Sequence, residues 1–429
     1  MLDKLFQTIE KITPQKYRWI LSHDGFKRYF ANTGWMFFGQ MFSLLVSFFI
    51  VAWLARYLGP ENYGVLSYAV AFVGVFSFIA TLGVDGILAR DLVKFPERRD
   101  KLLGTAFGLK IIGGIFAFIL STLTVIIFST SFMVRLLVIL LSFSFIIQTI
   151  NVVSIYFQAE VKSKNNTKSL LVATIVSSIL KISVIFFHKG IIWIAIISVL
   201  DSIWLGIGFL VAYKSAKLKI SNWHFDRSLA KEILKNSWPL MLASVAGFIY
   251  LRIDQIMVGA FMGNRAVGLY AVAVRLVEVW YFIPGIICGS LLPAIINAKK
   301  TSAILYKNRL RKFYILMTII PVALAIPISF LAKPIVLTLF GSSFFESINI
   351  LRIYIWSSIG VFLGMAANQY LMSENLVKTI FWLNFSAMVV NVGLNFIFIP
   401  SFGLLGAVIA TLISCFVIPG ATFLIRRKI

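Results

Sequence analysis

Charged side chains are scarce in this chain, and this scarcity limits the class of protein to which it can belong. Only 13% of its 429 residues are charged and 60% are hydrophobic, with a mean hydropathy of +0.93. Soluble domains carry roughly 25% charged residues. So little charge cannot cover a folded surface in water, so the chain is predicted to be an integral membrane protein.

Cysteine and histidine are almost absent, which removes several kinds of site. Cys288 and Cys415 both lie in apolar runs, so no disulfide framework is expected. His23, His188 and His224 are far apart and lack metal-ligand spacing. There is also no glycine-rich phosphate loop with its lysine, so ATP is not expected to be the direct energy source. We expect no metal and no cofactor.

Acidic residues are few beside the basic ones, 16 against 40, giving a net charge of +24. In a soluble protein this balance would suggest nucleic acid. Here the lysines and arginines flank apolar runs instead of forming a patch. The expected partners are therefore anionic membrane lipids and not nucleic acid.

Long apolar runs are abundant, and twelve of them approach the ~20 residues that a membrane span needs. The predicted spans are 33–55, 65–88, 102–128, 132–157, 169–187, 191–213, 238–261, 267–295, 313–332, 347–371, 376–399 and 404–425. With the N-terminus placed in the cytoplasm, 30 basic residues fall in inside segments and five in outside loops. This asymmetry predicts that both termini are cytoplasmic. No secretory signal peptide is evident in the first 30 residues.

The longest loop is basic and divides the spans into six plus six. The predicted organisation is a cytoplasmic N-terminal segment 1–31, a first six-helix bundle 32–213, a cytoplasmic linker 214–237, a second six-helix bundle 238–425 and a basic tail 426–429. The N-terminal segment is either an amphipathic helix on the membrane surface or a disordered basic tail.

A repeat supports two similar halves. The turn Leu58–Ala69 returns 204 residues later as Met262–Ala273, which places Gly59 on Gly263 and Gly64 on Gly268. Since each half has an even number of spans, the repeats share one orientation and are related by an axis along the membrane normal.

Several charges fall inside predicted spans, where each costs at least ~2.5–3.5 kcal/mol on insertion scales. Arg252 and Asp254 of span seven lie in the outer half of the membrane, and are expected on different helix faces. Arg275 and Glu278 of span eight lie there too, and their three-residue spacing allows them to pair.

The first half holds fewer such charges. Lys181 and Asp201 reach mid-membrane on adjacent helices, where a structural pair is the plain interpretation. Lys110 lies nearer the cytoplasm and can extend its amine toward water. Asp85 is interpreted as interfacial.

Arginine binds phosphate oxygens in a bidentate manner, so a cavity lined by Arg252 and Arg275 can hold a diphosphate. Lys110 and Lys181 are further candidates. Asp254, Glu278 and Asp201 are the candidates for ion coupling or charge pairing. Amides within the spans can bond sugar hydroxyls or neighbouring helices.

At this point the chain resembles the polysaccharide (Wzx/RfbX-type) lipid-linked oligosaccharide flippases of the MOP, MATE-like superfamily. The segments that carry the resemblance are Asn32–Gln40, Leu54–Gly64, Thr81–Arg90, Arg252–Gly259 and Gly263–Ala271.

The resemblance implies an all-α membrane fold of two six-helix bundles around a V-shaped cavity. It also implies transport of undecaprenyl-diphosphate-linked sugars across the cytoplasmic membrane of a bacterium or archaeon, alongside other polysaccharide-assembly proteins. Related flippases use cationic cavity residues for the diphosphate, and Arg252 and Arg275 are the best matches.

Three other functions compete with a flippase. A MATE-type cation-coupled drug exporter shares the fold and uses cavity carboxylates, for which Asp254 and Glu278 are candidates. A membrane polymerase or glycosyltransferase needs a sizeable outer loop, and the predicted outside loops are all short, so no enzyme activity is expected. A scaffolding protein has no need of charges buried in the membrane.

Overall fold

A computed structural model of the chain describes residues 24–374 and 376–428. Within these ranges the ordered backbone is helical. The α-helices are α1 (Asp24–Thr81), α2 (Val84–Lys94), α3 (Arg99–Phe128), α4 (Phe132–Ser142), α5 (Ser144–Ile147), α6 (Val152–Ala159), α7 (Ser163–Phe186), α8 (Ile191–Ser215), α9 (Arg227–Met262), α10 (Asn264–Glu278), α11 (Phe282–Thr301), α12 (Ala303–Leu339), α13 (Ser347–Tyr354), α14 (Ser357–Ser373), α15 (Val377–Phe402), α16 (Leu404–Ser414) and α17 (Val417–Lys428).

The predicted spans are confirmed. Eleven helical segments of the described chain are long and apolar enough to cross a membrane. The first runs for 63 residues from Asn32 to Lys94, and such a length reaches about three times the ~30 Å hydrocarbon core. It is broken at Gly59, so it contains the first two predicted spans. The other ten segments correspond one to one with the remaining predicted spans.

The two repeated turns have the same backbone conformation. Gly59 has φ 71° and ψ 173°, and its counterpart Gly263 has φ 83° and ψ 179°. This region of backbone space is accessible essentially to glycine alone. The repeat seen in the sequence is therefore also a repeat of local structure.

The second glycine of each turn packs against the other turn. A Cβ built on Gly64 would collide with the backbone carbonyl of Asn264, and one built on Gly268 would collide with that of Pro60. A Cβ built on either glycine would also lie within 3.1 Å of the amide nitrogen of the other glycine. The crossing is thus reciprocal, and it is made by backbone atoms.

Contact between residues divides the chain into two compact units. The first comprises residues up to 48, together with 79–119 and 143–238. The second comprises 49–78, 120–142 and the chain from 239 onward. The unit boundaries pass through α1, α3 and the α4–α5 junction, not only through the linker, and the division into bundles at 214–237 stays a prediction.

The first unit has a core of its own, in which the linker takes part. Buried side chains of α2, α3, α6 and α8 pack with Ala230 and Ile233 of α9. Ahead of α9, the Trp223 indole donates a hydrogen bond to the Tyr213 hydroxyl at 3.0 Å. The second unit has a separate core built from α11, α12 and α14, in which Phe362 and Met317 are fully buried.

Two glycines on α3 make room for the linker. A Cβ on Gly104 would lie 2.6 Å from the backbone of His224, and one on Gly108 would lie 2.6 Å from the ring of Phe225. Asp226 then starts α9, since its Oδ1 accepts the Leu229 amide at 2.7 Å. The linker therefore lies directly on the start of α3.

The predicted N-terminal segment falls mostly outside the described residues. Its last part, 24–31, begins α1, and α17 extends into the predicted C-terminal tail.

The glycine crossing gives a stability prediction. Gly64→Ala and Gly268→Ala should each destabilise the protein by about 1–3 kcal/mol or more, because the added methyl meets backbone that cannot rotate away. Thermal unfolding of the purified protein in detergent measures this. Gly364→Ala is the matched control, since nothing lies within 4 Å of its Cβ position. Wild-type unfolding temperatures for the first two variants would contradict the crossing.

The docked linker should depend on pH. The hydrogen bond from Lys101, at 2.7 Å, and that from the Leu229 amide hold the pKa of Asp226 below its ordinary value. A lowered pKa in the folded state means that the stabilisation is complete above about pH 4 and is lost as pH falls through the depressed pKa.

Hydrogen exchange of residues 216–230, corrected for the intrinsic rate and followed from pH 6 to pH 3, measures this dependence. Asp226→Asn keeps a capping side chain but loses the charge, so its protection should be weaker and nearly independent of pH. Equal pH profiles for the two proteins would contradict the assignment.

Candidate functional site

An ion pair joins helices α9 and α10 of the second unit. Arg252 donates from Nη1 to Glu278 Oε1 at 3.2 Å. The aliphatic part of Arg252 passes Gly74, whose Cβ position lies 3.7 Å from Arg252 Cγ. The Arg252 side chain is 32% exposed and the Glu278 side chain is 19% exposed, so the ion pair is only partly buried.

The expected pairing of Arg275 with Glu278 is not what the structure contains. Glu278 takes Arg252 from the neighbouring helix, and among the described residues Arg275 forms no ion pair. The described residues also provide no hydrogen-bond partner for its Nε, which is buried. Helical spacing brings two residues onto one face, but a closer partner across the helix interface takes precedence.

Asp254 occupies a different environment, as its position two residues from Arg252 predicted. It is 5% exposed. Its Oδ2 accepts from Thr411 at 2.5 Å and from Tyr270 at 3.1 Å, and its Oδ1 accepts from Asn395 at 2.7 Å. Asn395 also donates to Asn391 at 3.1 Å. Within the described chain this carboxylate has neutral partners and no ion pair.

The residues around Asp254 were only partly visible in the sequence. Asn391 and Asn395 are four residues apart in an apolar span, which places two amides on one helix face. Tyr270 and Thr411 gave no signal of their own, because a tyrosine or threonine is common in membrane helices. One buried acceptor is left over, since Asn395 Oδ1 has no partner among the described groups.

Two further ion pairs lie inside the predicted spans of the first unit. Lys181 of α7 donates to Asp201 of α8 at 2.7 Å, which confirms the structural pair. Lys110 does not extend to water as its position allowed; it is 4% exposed and donates to Asp85 at 2.7 Å. Asp85 is therefore the partner of a buried lysine and not only an interfacial residue.

A cavity of about 580 Å³ lies within the first unit, and its lining combines polar groups with apolar side chains such as Leu170, Leu205 and Phe209. Carboxamides from α1, α6 and α7 line it together with Asp85 and the Asn151 that precedes α6. No lysine or arginine is among the described residues that line it. The cavity thus offers many hydrogen bonds and one carboxylate.

The arrangement defines a multi-pass membrane protein in which several charges inside the spans form ion pairs, whereas Asp254 and Arg275 of the described chain do not. The sequence profile of the family described as "Polysaccharide biosynthesis protein" matches residues 29–299. The chain therefore belongs to that family, and the resemblance read from the sequence is confirmed.

Named relatives agree with this family. The chain is 24% identical over 400 residues to a "Putative O-antigen transporter" of Shigella flexneri, covering 88% of this chain and 93% of the relative. It is 25% identical over 256 residues to the "Probable flippase AglR" of Haloferax volcanii, covering 56% of this chain and 50% of the relative.

Solved structures share the fold. An inward-facing multidrug resistance MATE transporter of the MOP superfamily superposes with a TM-score of 0.73 at 16% identity, covering 90% of this chain and 94% of that one. The lipid II flippase MurJ, in an inward closed conformation, superposes with a TM-score of 0.69 at 18% identity, covering 91% of this chain and 87% of that one. The expected MATE-like helical fold is confirmed.

The Arg252–Glu278 pair can be tested by a double-mutant cycle. Arg252→Met and Glu278→Gln should each destabilise the protein, and the double variant should recover part of the loss, with a coupling of about 0.5–3 kcal/mol. The exposed pair Arg265–Glu346, with both side chains 61% exposed, is the matched control and should couple by less than about 1 kcal/mol. Additive effects of the first two changes would show that the groups do not interact.

Proposed function

We propose that this protein is a flippase that carries undecaprenyl-diphosphate-linked oligosaccharides from the inner to the outer leaflet of the cytoplasmic membrane. The observation that carries the proposal is the family match over residues 29–299. The names of the two relatives and the fold shared with a lipid flippase support it. The oligosaccharide serves the synthesis of cell-surface polysaccharide.

Arg275 is the strongest candidate for holding the diphosphate. An arginine whose Nε is buried without a hydrogen-bond partner has unused donor capacity, and leaving such a donor unpaired is costly. Diphosphate oxygens match the arginine fork and would satisfy it. Arg252 is already balanced by Glu278, so it would bind the diphosphate only by releasing or sharing that carboxylate.

Asp254 is the proposed coupling residue. A buried carboxylate without an ion pair is costly unless it binds a proton or a cation. Its hydroxyl and amide neighbours, with the unpartnered Asn395 Oδ1 beside them, form an oxygen-rich site of the kind that hard cations prefer. A proton or sodium gradient would then bias the transport cycle through Asp254. Glu278 and Asp201 are less suited, because each already has a basic partner.

The direction of transport follows from the predicted orientation. With both termini in the cytoplasm, the substrate enters from the side of the basic linker and leaves on the side of the short loops. We propose the cytoplasmic membrane of a bacterium or archaeon as the location, with other polysaccharide-assembly proteins nearby. Transport of this kind makes and breaks no covalent bond, so no enzyme activity is part of the proposal.

Flipping in proteoliposomes tests the proposal. The wild-type protein should move a fluorescent undecaprenyl-diphosphate disaccharide, and Arg275→Gln should slow the movement roughly 10- to 100-fold, because a charge-assisted hydrogen bond to the diphosphate is lost. Arg252→Gln should have a smaller effect. Arg265→Gln, an exposed arginine at the start of the same helix, is the matched control and should match the wild type.

The same vesicles test the coupling. An imposed sodium or proton gradient should accelerate the wild type, while Asp254→Asn should flip the lipid without responding to either gradient. Each variant is checked for wild-type elution and unfolding temperature. If the wild type moves no glycolipid but exports organic cations against a gradient, the protein is a MATE-type exporter and the flippase proposal is wrong.

A further inference from the structure

The cavity of the first unit has no role in the functions assigned so far. Its walls come from the start of α1, from α2, from the α5–α6 region, from the start of α7 and from α8. At about 580 Å³ it falls in the ~300–1,000 Å³ range of small-molecule sites. On the predicted orientation these helix ends face the cytoplasm, where a lipid-linked sugar would first meet the protein.

The walls of the cavity are held in place by hydrogen bonds that do not involve a ligand. Asn32 Oδ1 accepts the backbone amide of Ser163 at 2.6 Å and so caps the start of α7 from α1. Thr167 donates to the carbonyl of Trp35 at 3.0 Å. Asn166 donates from Nδ2 to the carbonyl of Ser154 at 2.8 Å. A pre-formed site of this kind loses little entropy on binding.

Two carboxamides of the cavity wall, Gln158 and Gln40, keep hydrogen-bonding groups open to a ligand. Ser163 Oγ and Asn166 Oδ1 also lack partners among the described residues, but both atoms are buried in the wall. The Gln158 amide reaches only Ser154 Oγ, at the limiting distance of 3.5 Å. Gln40 is exposed to the cavity. Amides and hydroxyls that can both donate and accept match a ligand rich in hydroxyl groups.

The charged group that the described part of the cavity surface exposes is a carboxylate. Lys110 and Asp85 form one ion pair, but the lysine side chain is 5% exposed and the aspartate side chain is 48% exposed. The lysine therefore lies behind the carboxylate, and an incoming ligand meets the carboxylate. Since no lysine or arginine of the described chain lines the cavity, a phosphate or a carboxylate has no counter-ion there.

We propose that this cavity binds the sugar portion of the flippase substrate and selects neutral sugars over acidic ones. The Asp85 carboxylate accepts strong hydrogen bonds from sugar hydroxyls, and the amides bind the remaining hydroxyls. A uronic acid placed in the same position meets Asp85 as a like charge in a partly dehydrated site, which is unfavourable. This inference rests on the proposed function, because it assigns one part of the same substrate to a site apart from the diphosphate.

Protection of an introduced cysteine from labelling measures whether a ligand occupies the cavity, and it requires no transport step. The native Cys288 and Cys415 are buried, so Gln158→Cys gives a thiol in the cavity wall that is open to a polar maleimide. Two glycolipids serve as probes: undecaprenyl diphosphate carrying a dihexose, and the same lipid with its terminal hexose oxidised at C6 to the uronic acid. They differ in one carboxylate.

The neutral glycolipid should slow labelling of Gln158→Cys about tenfold, and the acidic one by less than about twofold, a difference expected from like-charge repulsion. Gln148→Cys is the matched control, because Gln148 precedes the same helix region but is not in the cavity wall. Its labelling should not respond to either lipid.

The source of the selectivity is tested by removing the ion pair as a unit. Asp85→Asn alone would leave the buried Lys110 ammonium without a partner, so Asp85→Asn is combined with Lys110→Met. In this double variant the two lipids should protect Gln158→Cys equally. A loss of selectivity would identify Asp85 as its source, since a merely structural change would weaken the protection by both lipids alike.

The outcomes separate this inference from the flippase proposal. If vesicles flip the neutral glycolipid but neither lipid protects Gln158→Cys, the cavity inference is wrong and the flippase stands. If the acidic lipid protects as well as the neutral one, the selectivity is wrong. If the neutral lipid alone protects but no lipid is flipped, the cavity inference stands and the flippase proposal fails.

Discussion

The cost of an uncompensated charge in a low-dielectric layer organises the interior of this protein. Lys110, Lys181 and Arg252 each have a carboxylate partner at 2.7–3.2 Å, and each partner lies on a neighbouring helix. These pairs fix which helix faces meet. Two described groups that depart from this pattern are Asp254, which is bonded only by neutral side chains, and Arg275, which has a buried Nε without a partner. A protein that must bind and release charged species needs such incompletely satisfied groups, because a fully satisfied site has nothing to offer a ligand.

The polar features also suggest a division of tasks within the chain. The first unit contains a cavity rich in amides with a carboxylate at its surface, whereas the second contains the two candidate groups for charge, a free arginine donor and a buried aspartate. A lipid-linked oligosaccharide has the same division, since its sugars are hydroxyl-rich and its diphosphate carries the charge. Each unit, taken by itself, thus has groups that suit one part of the proposed substrate.

Sequence predicted the spans well and the contacts between them poorly, and the reason is physical. Hydropathy registers the length of each apolar run, and the glycine turns appear directly as a repeat. Helix geometry also predicted that Arg252 and Glu278 lie at a similar level, and their ion pair agrees with this. Their partnership did not follow from it, because spacing along one helix reports neighbours on that helix and not across an interface. For the same reason the sequence did not identify Asp85 as the partner of Lys110, and it did not identify Tyr270 and Thr411 as neighbours of Asp254. The cavity of the first unit requires the packing of five helical regions, which no local pattern encodes.

The crossing at Gly64 and Gly268 has an evolutionary consequence. At an ordinary helix interface, an enlarged residue on one side can be compensated by a smaller one opposite. Here each glycine faces the carbonyl of the other turn, at Asn264 and Pro60, and a peptide carbonyl is the same in every amino acid. No second substitution at the contacted position can restore the lost space. Nine of the twelve paired positions in the two turns differ in sequence, but both turns keep a glycine where they cross.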